Sequence, residues 1–209
     1  VIPECVNEIN EVAFVGCTAL ESISGKFATE DNRALVVGER LIAVAGSGLT
    51  EYTIPEGVTE IRVGTFSECN TLRSSVIPEG VKQIEEQTFV SCPALESITI
   101  PGSVNVIGRD AFSGCTALVN VTISDGVEKI EAGAFKDCTA IKSITIPEGV
   151  SFIGSDTFKG CTALQSIAIP DSITTIAWHA FDGCTALKNI SGKYATEDNR
   201  ALVIGERLI

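Results

Sequence analysis

Residues 95–118, LESITIPGSVNVIGRDAFSGCTAL, contain one complete unit of the pattern that decides the fold. At the start of this unit, Ile98 and Ile100 alternate with Ser97 and Thr99. A period of two places alternate side chains on opposite faces of a β-strand. The unit is therefore expected to begin with a strand that buries its aliphatic side chains and exposes its hydroxyl groups.

The rest of the unit leads the chain back to the next strand. Pro101 ends the strand, and several neighbouring units continue as Pro-Glu-Gly, as at 55–57, which predicts a turn with proline at its second position and glycine free to close it. Ile107 then returns to the interior. Phe112 and Cys115 are three residues apart, which predicts that both lie on one side of a short helical turn.

The same unit recurs every 23 residues along most of the chain. Its Ile-Pro type starts are Ile54, Ile77, Ile100, Ile123, Ile146 and Ile169. One column of phenylalanines follows, at Phe66, Phe89, Phe112, Phe135, Phe158 and Phe181, and one of cysteines, at Cys69, Cys92, Cys115, Cys138, Cys161 and Cys184. An earlier turn adds Ile2, Phe14 and Cys17 to these columns. Because no unit buries so many apolar groups alone, we expect turns stacked about 4.8 Å apart, with parallel strands.

The 23-residue rhythm is interrupted at residues 24–53, and a second copy of the interruption begins at residue 191. Residues 24–42 and 191–209 differ only at Phe27, which is Tyr194 in the second copy, and at Val37, which is Ile204. Gly38-Glu39 separates two apolar runs in the first copy, which predicts a β-hairpin that projects from the coil or caps it. We therefore predict one solenoid over residues 1–209, with a hairpin-containing insertion at 24–53 and the start of its second copy at 191–209.

The repeated strand, the Ile-Pro-Glu-Gly-Val turn, the Ala-Phe pair and Gly-Cys-Thr-Ala-Leu, as at 114–118, resemble the BspA-like leucine-rich repeats over nearly the whole chain. The general leucine-rich-repeat consensus has Asn or Cys three positions after the last strand residue, where this chain has Gly or Ser, for example Ser103. The expected fold class is an α/β repeat protein: a right-handed leucine-rich-repeat solenoid with 23-residue turns. It has a parallel β-sheet on its concave face, short helical turns and irregular structure on its convex side, and a β-hairpin insertion.

The resemblance also implies a secreted or surface-attached microbial protein, of a kind often associated with adhesion to host proteins or other cells. The chain itself has no run of about 18 apolar residues and no start of the signal-peptide type, so we expect no membrane insertion by this segment. Its net charge of −12 disfavours nucleic acid and anionic membranes as partners, because both repel an acidic surface.

Two columns suggest chemistry and also have a structural explanation. The cysteine column is open to interpretation as a metal-binding or redox array, but we favour buried free thiols that act as small hydrophobes. Cys5 lies outside this column, and either exposure or an intermolecular disulfide fits its position. An acidic column comprises Glu56, Glu79, Asp125, Glu148 and Asp171. Calcium binding there would need further ligands, so a solvated edge is the favoured interpretation.

The remaining reactive or aromatic side chains do not form a recognisable catalytic set. His179 is the single histidine and is expected at the surface, because a triad or metal site needs companions that the sequence does not supply. Trp178 and Phe152 stand where other turns have polar residues, which suggests either an exposed aromatic contact or packing against the backbone. We therefore predict no catalytic residues, no metal site and no cofactor.

The outward strand positions remain as candidates for binding a partner. We predict that a protein or glycan binds at Ser97, Thr99, Asn120, Thr122, Ser143, Thr145, Ser166 and Asn189. Extended concave surfaces are what solenoids use for partners, although these small polar residues are also typical of any exposed strand. The hairpin is a second candidate surface. The leading hypothesis is an adhesion or protein-interaction module, and the alternative is a passive spacer within a larger surface protein.

Overall fold

The structure, a computed structural model, describes residues 1–192, Ala195, Val203–Ile204 and Arg207–Leu208. The strands in the first half of the chain are β1 (Ala34–Val37), β2 (Arg40–Val44), β3 (Glu51–Thr53), β4 (Glu60–Ile61), β5 (Ser74–Val76), β6 (Gln83–Ile84), β7 (Ser97–Ile100) and β8 (Val106–Ile107). Those in the second half are β9 (Asn120–Ile123), β10 (Lys129–Ile130), β11 (Ser143–Thr145), β12 (Phe152–Ile153), β13 (Ser166–Ile169), β14 (Thr175–Ile176), β15 (Asn189–Gly192), β16 (Val203–Ile204) and β17 (Arg207–Leu208).

These strands form a parallel β-solenoid with two strands in each turn. The odd-numbered strands from β3 to β15 form the first strip, which is interrupted between β9 and β11. The even-numbered strands from β4 to β14 form the second strip, which β2 and β1 extend. In the first strip Ser97 aligns with Ser74 and Asn120, so successive turns are 23 residues apart. The sequence pattern predicts the parallel first strip, but it does not predict the two-residue strands of the second.

The turn after each first-strip strand that is followed by proline differs by one position from the predicted turn. The Val58 N–H donates to the Pro55 carbonyl oxygen at 3.3 Å, so proline is the first residue of this turn and not the second. Gly57 is then the third residue, and its φ of 87° lies in the left-handed region that favours glycine. Proline therefore ends the strand, and glycine determines the shape of the turn.

Residues 108–118 and their equivalents in other turns are here called the flank segment. Some of its backbone N–H groups donate within the same turn, and others donate to the next turn. The Cys115 N–H donates to the Phe112 carbonyl oxygen within the same turn, at 3.2 Å. The Phe112 N–H donates instead to the Ala134 carbonyl oxygen of the next turn, at 2.8 Å. An α-helix needs consecutive donors to bond four residues back along the same segment, so this alternation excludes it.

Two positions in each flank segment also have a left-handed backbone. They lie two residues before and two residues after the phenylalanine, with φ between 52° and 77° at Gly64, Glu68, Gln87, Ser91, Asp110, Gly114, Gly133, Asp137, Asp156, Gly160, His179 and Gly183. A right-handed helix cannot pass through such residues. The described residues contain no helix, so the predicted short helical turns are wrong for this part of the chain, and the described fold is all-β rather than α/β.

The phenylalanine column forms a continuous stack of rings through the core. Successive rings from Phe66 to Phe181 are 4.7 to 5.7 Å apart between centroids and within 9° of parallel. Phe66 to Phe158 are fully buried, and Phe181 is partly exposed. Tyr52 ends the stack at the N-terminal side, with its ring tilted 56° against Phe66. Because the ring spacing is close to that between paired strands, each ring contacts its neighbours in both adjacent turns.

The first turn, residues 1–23, does not join this stack, which corrects the placement of its residues in the columns. Phe14 packs in a separate small cluster with Ile23 and Ile42, and Cys17 is exposed. The antiparallel pair β1–β2, joined by Gly38-Glu39, lies between this cluster and the main core.

Alternate residues of the β1–β2 pair face opposite ways. Ala34 and Leu41 belong to the main core, whereas Leu35 and Ile42 belong to the small cluster of the first turn. The pair is therefore buried on both faces, and β2 continues the second strip by pairing in parallel with β4. It forms a partition inside the fold.

The predicted second copy of the insertion, at 191–209, lies mostly outside the described residues. The described residues of the second copy pair with the same register as their equivalents in the first copy. Ile169 aligns with Gly192 in parallel, as Ile2 aligns with Gly25, and β16 pairs antiparallel with β17, as β1 pairs with β2. A Cβ atom at Gly25 or Gly192 would overlap the backbone of the aligned isoleucine, so both alignments require glycine.

Replacing Gln87 with glycine is expected to stabilise the protein. Gln87 is exposed and has a φ of 57°, so the glycine variant should raise the free energy of unfolding by about 1 kcal/mol in urea denaturation. The adjacent exposed residue Glu86 is the matched control, because its φ is not in the left-handed region. Glu86→Gly should lower the free energy of unfolding by about 0.5–1 kcal/mol. Equal losses in both variants would contradict the role assigned to backbone conformation in the flank segment.

Candidate partner-binding surface

The residues predicted to bind a partner lie at outward positions of the first strip and are here called the strand face. They are Ser97 and Thr99 on β7, Asn120 and Thr122 on β9, Ser143 and Thr145 on β11, Ser166 on β13 and Asn189 on β15. Ser97 and Ser166 are half-buried, and the other six are exposed. Inward neighbours such as Ile98 and Ile144 are buried, so the period of two orients this surface.

Parallel pairing aligns the strand face in rows across the turns. Ser97 aligns with Asn120, and Thr99 aligns with Thr122. After the interruption between β9 and β11, Ser143 aligns with Ser166, which aligns with Asn189. The interruption therefore divides the strand face into two patches, each a short ladder of small polar side chains with free hydrogen-bonding capacity towards solvent.

A shallow groove of about 340 Å³ lies at the carboxyl ends of β5 and β7. It is lined by the strand-face residues Ser97 and Thr99 and by the exposed Val76. Glu79, which follows β5, and Ser124, which follows β9, complete the lining. Ser124, one of the lining residues, stands where the other units have proline.

Sequence reasoning missed the contribution of β5 to this groove. Ser75 stands at an inward position where neighbouring strands have Tyr52 and Ile98. It is 6% exposed, and its hydroxyl oxygen has no hydrogen-bond partner in the described part of the chain. An unpaired buried hydroxyl costs free energy. The available signal was the sequence Ser-Ser-Val at 74–76, where the other units have an aliphatic or aromatic residue in the middle.

The charged residues beside the first patch of the strand face neutralise each other. Arg73 and Glu96 form an ion pair of 3.1 Å, and both side chains are more than half exposed. Such a pair contributes little to stability because water and salt screen it. The first patch therefore offers neutral hydrogen-bonding groups with a neutralised ion pair beside it.

The aromatic and histidine candidates lie away from the strand face. His179 is exposed, and its Nδ1 lies 2.7 Å from Asp182 Oδ2. Trp178 is 64% exposed, whereas Phe152 is half-buried on β12 of the second strip. Among the residues that the structure describes, no hydroxyl or thiol is hydrogen-bonded to the His179 ring.

The buried cysteine column, with Cys184 at its end, forms a regular ladder of thiols, here called the thiol ladder. From the second member onward, each Sγ–H donates to the carbonyl oxygen of a phenylalanine in the preceding turn. The distances are 3.0 to 3.2 Å for Cys92, Cys115, Cys138, Cys161 and Cys184. Burial raises the pKa of the Cys161 thiol to about 12 and that of Cys184 to about 11. The ladder therefore holds protonated thiols that donate hydrogen bonds, whereas metal binding needs thiolates.

Within the described residues, no group of three or more His, Cys, Asp or Glu side chains is arranged to hold a metal ion. The acidic column, from Glu56 to Asp171, is exposed at each of its carboxylates.

No helix in the described part of the chain is long and apolar enough to cross a bilayer.

The thiols are expected to differ sharply in reactivity. Iodoacetamide should alkylate Cys5 and Cys17 in the native reduced chain, because both are exposed, and should alkylate the five buried thiols only after unfolding. Raising the pH from about 7 to about 9 should leave the buried set unmodified, because the reagent cannot reach it. Burial also raises the pKa of Cys69 and Cys161 to about 12, which keeps these two thiols protonated. Peptide mapping by mass spectrometry measures each site. Native alkylation of Cys115 or Cys138 at the rate of Cys17 would contradict this burial.

The same pKa shifts link stability to pH. The native state retains thiol protons that unfolded cysteines release above their ordinary pKa of 9.0. The contribution of Cys69 and Cys161 to the free energy of unfolding is therefore complete below this pH and declines as the pH rises from 9.0 towards about 12.

Comparisons with known proteins agree with this architecture. The family described as BspA type Leucine rich repeat region matches the chain in six copies, over residues 1–119, 42–165 and 105–198. A leucine rich cell surface protein from Faecalibacterium prausnitzii A2-165 is 35% identical, with a TM-score of 0.56, over 70% of this chain and 48% of that protein. A leucine-rich repeat protein from T. pallidum is 25% identical, with a TM-score of 0.56, over 81% of this chain and 70% of that one.

A leucine-rich repeat protein from Eubacterium ventriosum has a TM-score of 0.73 over 95% of this chain and 62% of that one, and its 20% identity supports likeness of fold alone. The chain thus spans about half of the F. prausnitzii protein and about three fifths of the E. ventriosum one. No curated protein sequence matches it. The matches to the family model together cover residues 1–198 of this solenoid of 23-residue turns. The chain therefore belongs to the BspA-type leucine-rich-repeat family.

Proposed function

We propose that the chain is a non-catalytic interaction module of a cell-surface or secreted protein, which binds a protein or glycan of a host or neighbouring cell through the strand face. We also propose the handedness of the solenoid, the side on which the first strip lies and the extent of the insertion. Residues 1–209 form one right-handed solenoid, its first strip lies on the concave side, and residues 24–53 are an insertion whose second copy starts at 191.

The observation that carries this proposal is the regular alignment of outward polar side chains on a rigid sheet. Thr99 and Thr122 are exposed and occupy aligned positions of paired strands, above a core of fully buried rings. A surface that is already ordered loses little conformational entropy when it binds a partner. Hydroxyl and amide groups both donate and accept hydrogen bonds, which suits the polar edge of a protein or the hydroxyls of a glycan.

The similarity to a protein described as a leucine rich cell surface protein supports the proposed location, which is extracellular or at the cell surface. The proposal of a non-catalytic module is supported by the environment of the reactive side chains. The thiol ladder is buried and protonated, and the hydrogen bond described for the His179 ring joins it to Asp182. A general base or nucleophile would need a partner in a cleft.

The alternative is a passive acidic spacer that holds another domain away from the cell. The regular 23-residue register favours it, because a rod of equivalent turns can be lengthened or shortened without altering its cross-section. A spacer needs no specific surface. The two proposals therefore differ in whether a defined patch on the first strip binds anything.

The two proposals are separated by measuring binding to panels of extracellular-matrix proteins and glycans by surface plasmon resonance. The interaction module should bind at least one component saturably, and Thr99→Arg should weaken that binding about tenfold or more by blocking the first patch. Thr175→Arg is the matched control, because Thr175 is also an exposed outward threonine but lies on β14 of the second strip. It should leave the affinity unchanged.

Unchanged binding in the Thr99→Arg variant would place the interaction elsewhere, and equal loss in both variants would deny the first patch a specific role. No saturable binding to either panel would favour the spacer. Circular dichroism of both variants checks that the strands persist. Glu39→Ala, in the connection between β1 and β2, tests the second candidate surface in the same assay.

A further inference from the structure

Cys69 stands at an irregular end of the thiol ladder. The other buried members donate their Sγ–H to a phenylalanine carbonyl oxygen of the preceding turn, but no such bond is described for Cys69. The position 23 residues earlier, where a ladder cysteine would stand, is Gly46. A Cβ atom at Gly46 would overlap Cys69 Sγ, so the thiol occupies the space that this glycine leaves free.

Cys17 approaches the same place from the first turn. Cys17 and Cys69 line one narrow cleft together with Phe14, Gly46 and Gly64. Cys17 is exposed to solvent, whereas Cys69 is 6% exposed. The cleft therefore has one thiol at its solvent side and one at its inner side.

Two contacts keep the first turn beside the cleft. Arg62 forms an ion pair with Glu11 of the first turn, and a second one with Glu85 in the solenoid. Val15 side-chain atoms lie against Gly64, 3.1 and 3.2 Å from where its Cβ atom would be. The first turn is thus attached next to Cys69 by a charged and an apolar contact, independently of the ring stack.

We propose that Cys17 and Cys69 are a dithiol pair that a low-molecular-weight disulfide oxidises to an intramolecular disulfide, joining the first turn to the solenoid. The Cys17 thiolate attacks one sulfur of the oxidant, which forms a mixed disulfide and releases one thiolate. Cys69 then gives its proton to the thiolate just released and attacks Cys17 Sγ, which forms the protein disulfide and releases the second half of the oxidant as a thiolate that takes up a proton from solvent. Two protein thiols are oxidised, and one oxidant disulfide is reduced to two thiols.

The environments of the two sulfurs determine this order of steps. Burial, with a smaller effect of Cys92, raises the pKa of Cys69 to about 12, so its thiol remains protonated and is shielded from an oxidant in solution. Cys17 is the sulfur that an external disulfide reaches first. This inference concerns the reduced chain and an oxidant, so it is independent of the partner bound by the strand face.

The test is oxidation of the reduced full chain by glutathione disulfide, followed by acid quenching and mass spectrometry. The intact mass should fall by about 2 Da relative to the reduced chain. A non-reducing digest should contain one cross-linked species that joins the peptides of Cys17 and Cys69. Cys5→Ser removes the other exposed thiol and should yield the same product.

Cys17→Ser should abolish the cross-link while leaving the buried thiols in place, because Cys17 is exposed. Cys92→Ala changes the next ladder position and should retain the cross-link. A glutathione adduct that persists on Cys17 with Cys69 still free would overturn the proposal, as would a disulfide between Cys5 and Cys17 or between the Cys17 residues of two chains.

Discussion

Hydrogen bonding between the backbones of adjacent turns is the constraint on which the rest of the structure depends. Within each part of the first strip, neighbouring strands from adjacent turns pair in parallel, and the Phe112 N–H of the flank segment bonds to the next turn at Ala134. An isolated turn would expose these groups and its phenylalanine to water, so stability belongs to neighbouring turns jointly. The stacked rings and the Sγ–H bonds of the thiol ladder follow from the same spacing, because equivalent atoms recur in every turn.

Much of this architecture could be predicted because it is periodic. The alternation of Ser97, Ile98 and Thr99 predicts a strand and its outward face, and the 23-residue recurrence predicts parallel stacking. The second strip could not be predicted in this way, because a two-residue strand such as Val106–Ile107 is too short to display a period of two. The spacing of Phe112 and Cys115 fits a helical turn as well as the observed turns. The left-handed backbone at Asp110, which depends on bonding to the next turn, decides between them.

The irregular features depend on contacts between segments distant in sequence. The apolar runs around Gly38-Glu39 predict an antiparallel pair, but its position as a partition depends on the first turn packing against Leu35 and Ile42. Similarly, the positions of Ser97 and Thr99 follow from alternation, whereas the groove beside them also needs Glu79 and Ser124 from different turns. The strand face is thus a regular surface with one local depression, and the cleft at Cys17 and Cys69 arises where the regular stacking ends.

The stacking of turns at a spacing of 23 residues is tested most directly by urea unfolding of two internal deletions. Removing residues 120–142 joins Val119 to Ser143 and keeps every later residue in its column, so the shortened chain should unfold cooperatively with a modestly lower midpoint. A deletion one residue shorter, 120–141, reverses the faces of the strands that follow the junction and should abolish the cooperative transition. Similar unfolding curves for the two deletions would contradict the central role of this register.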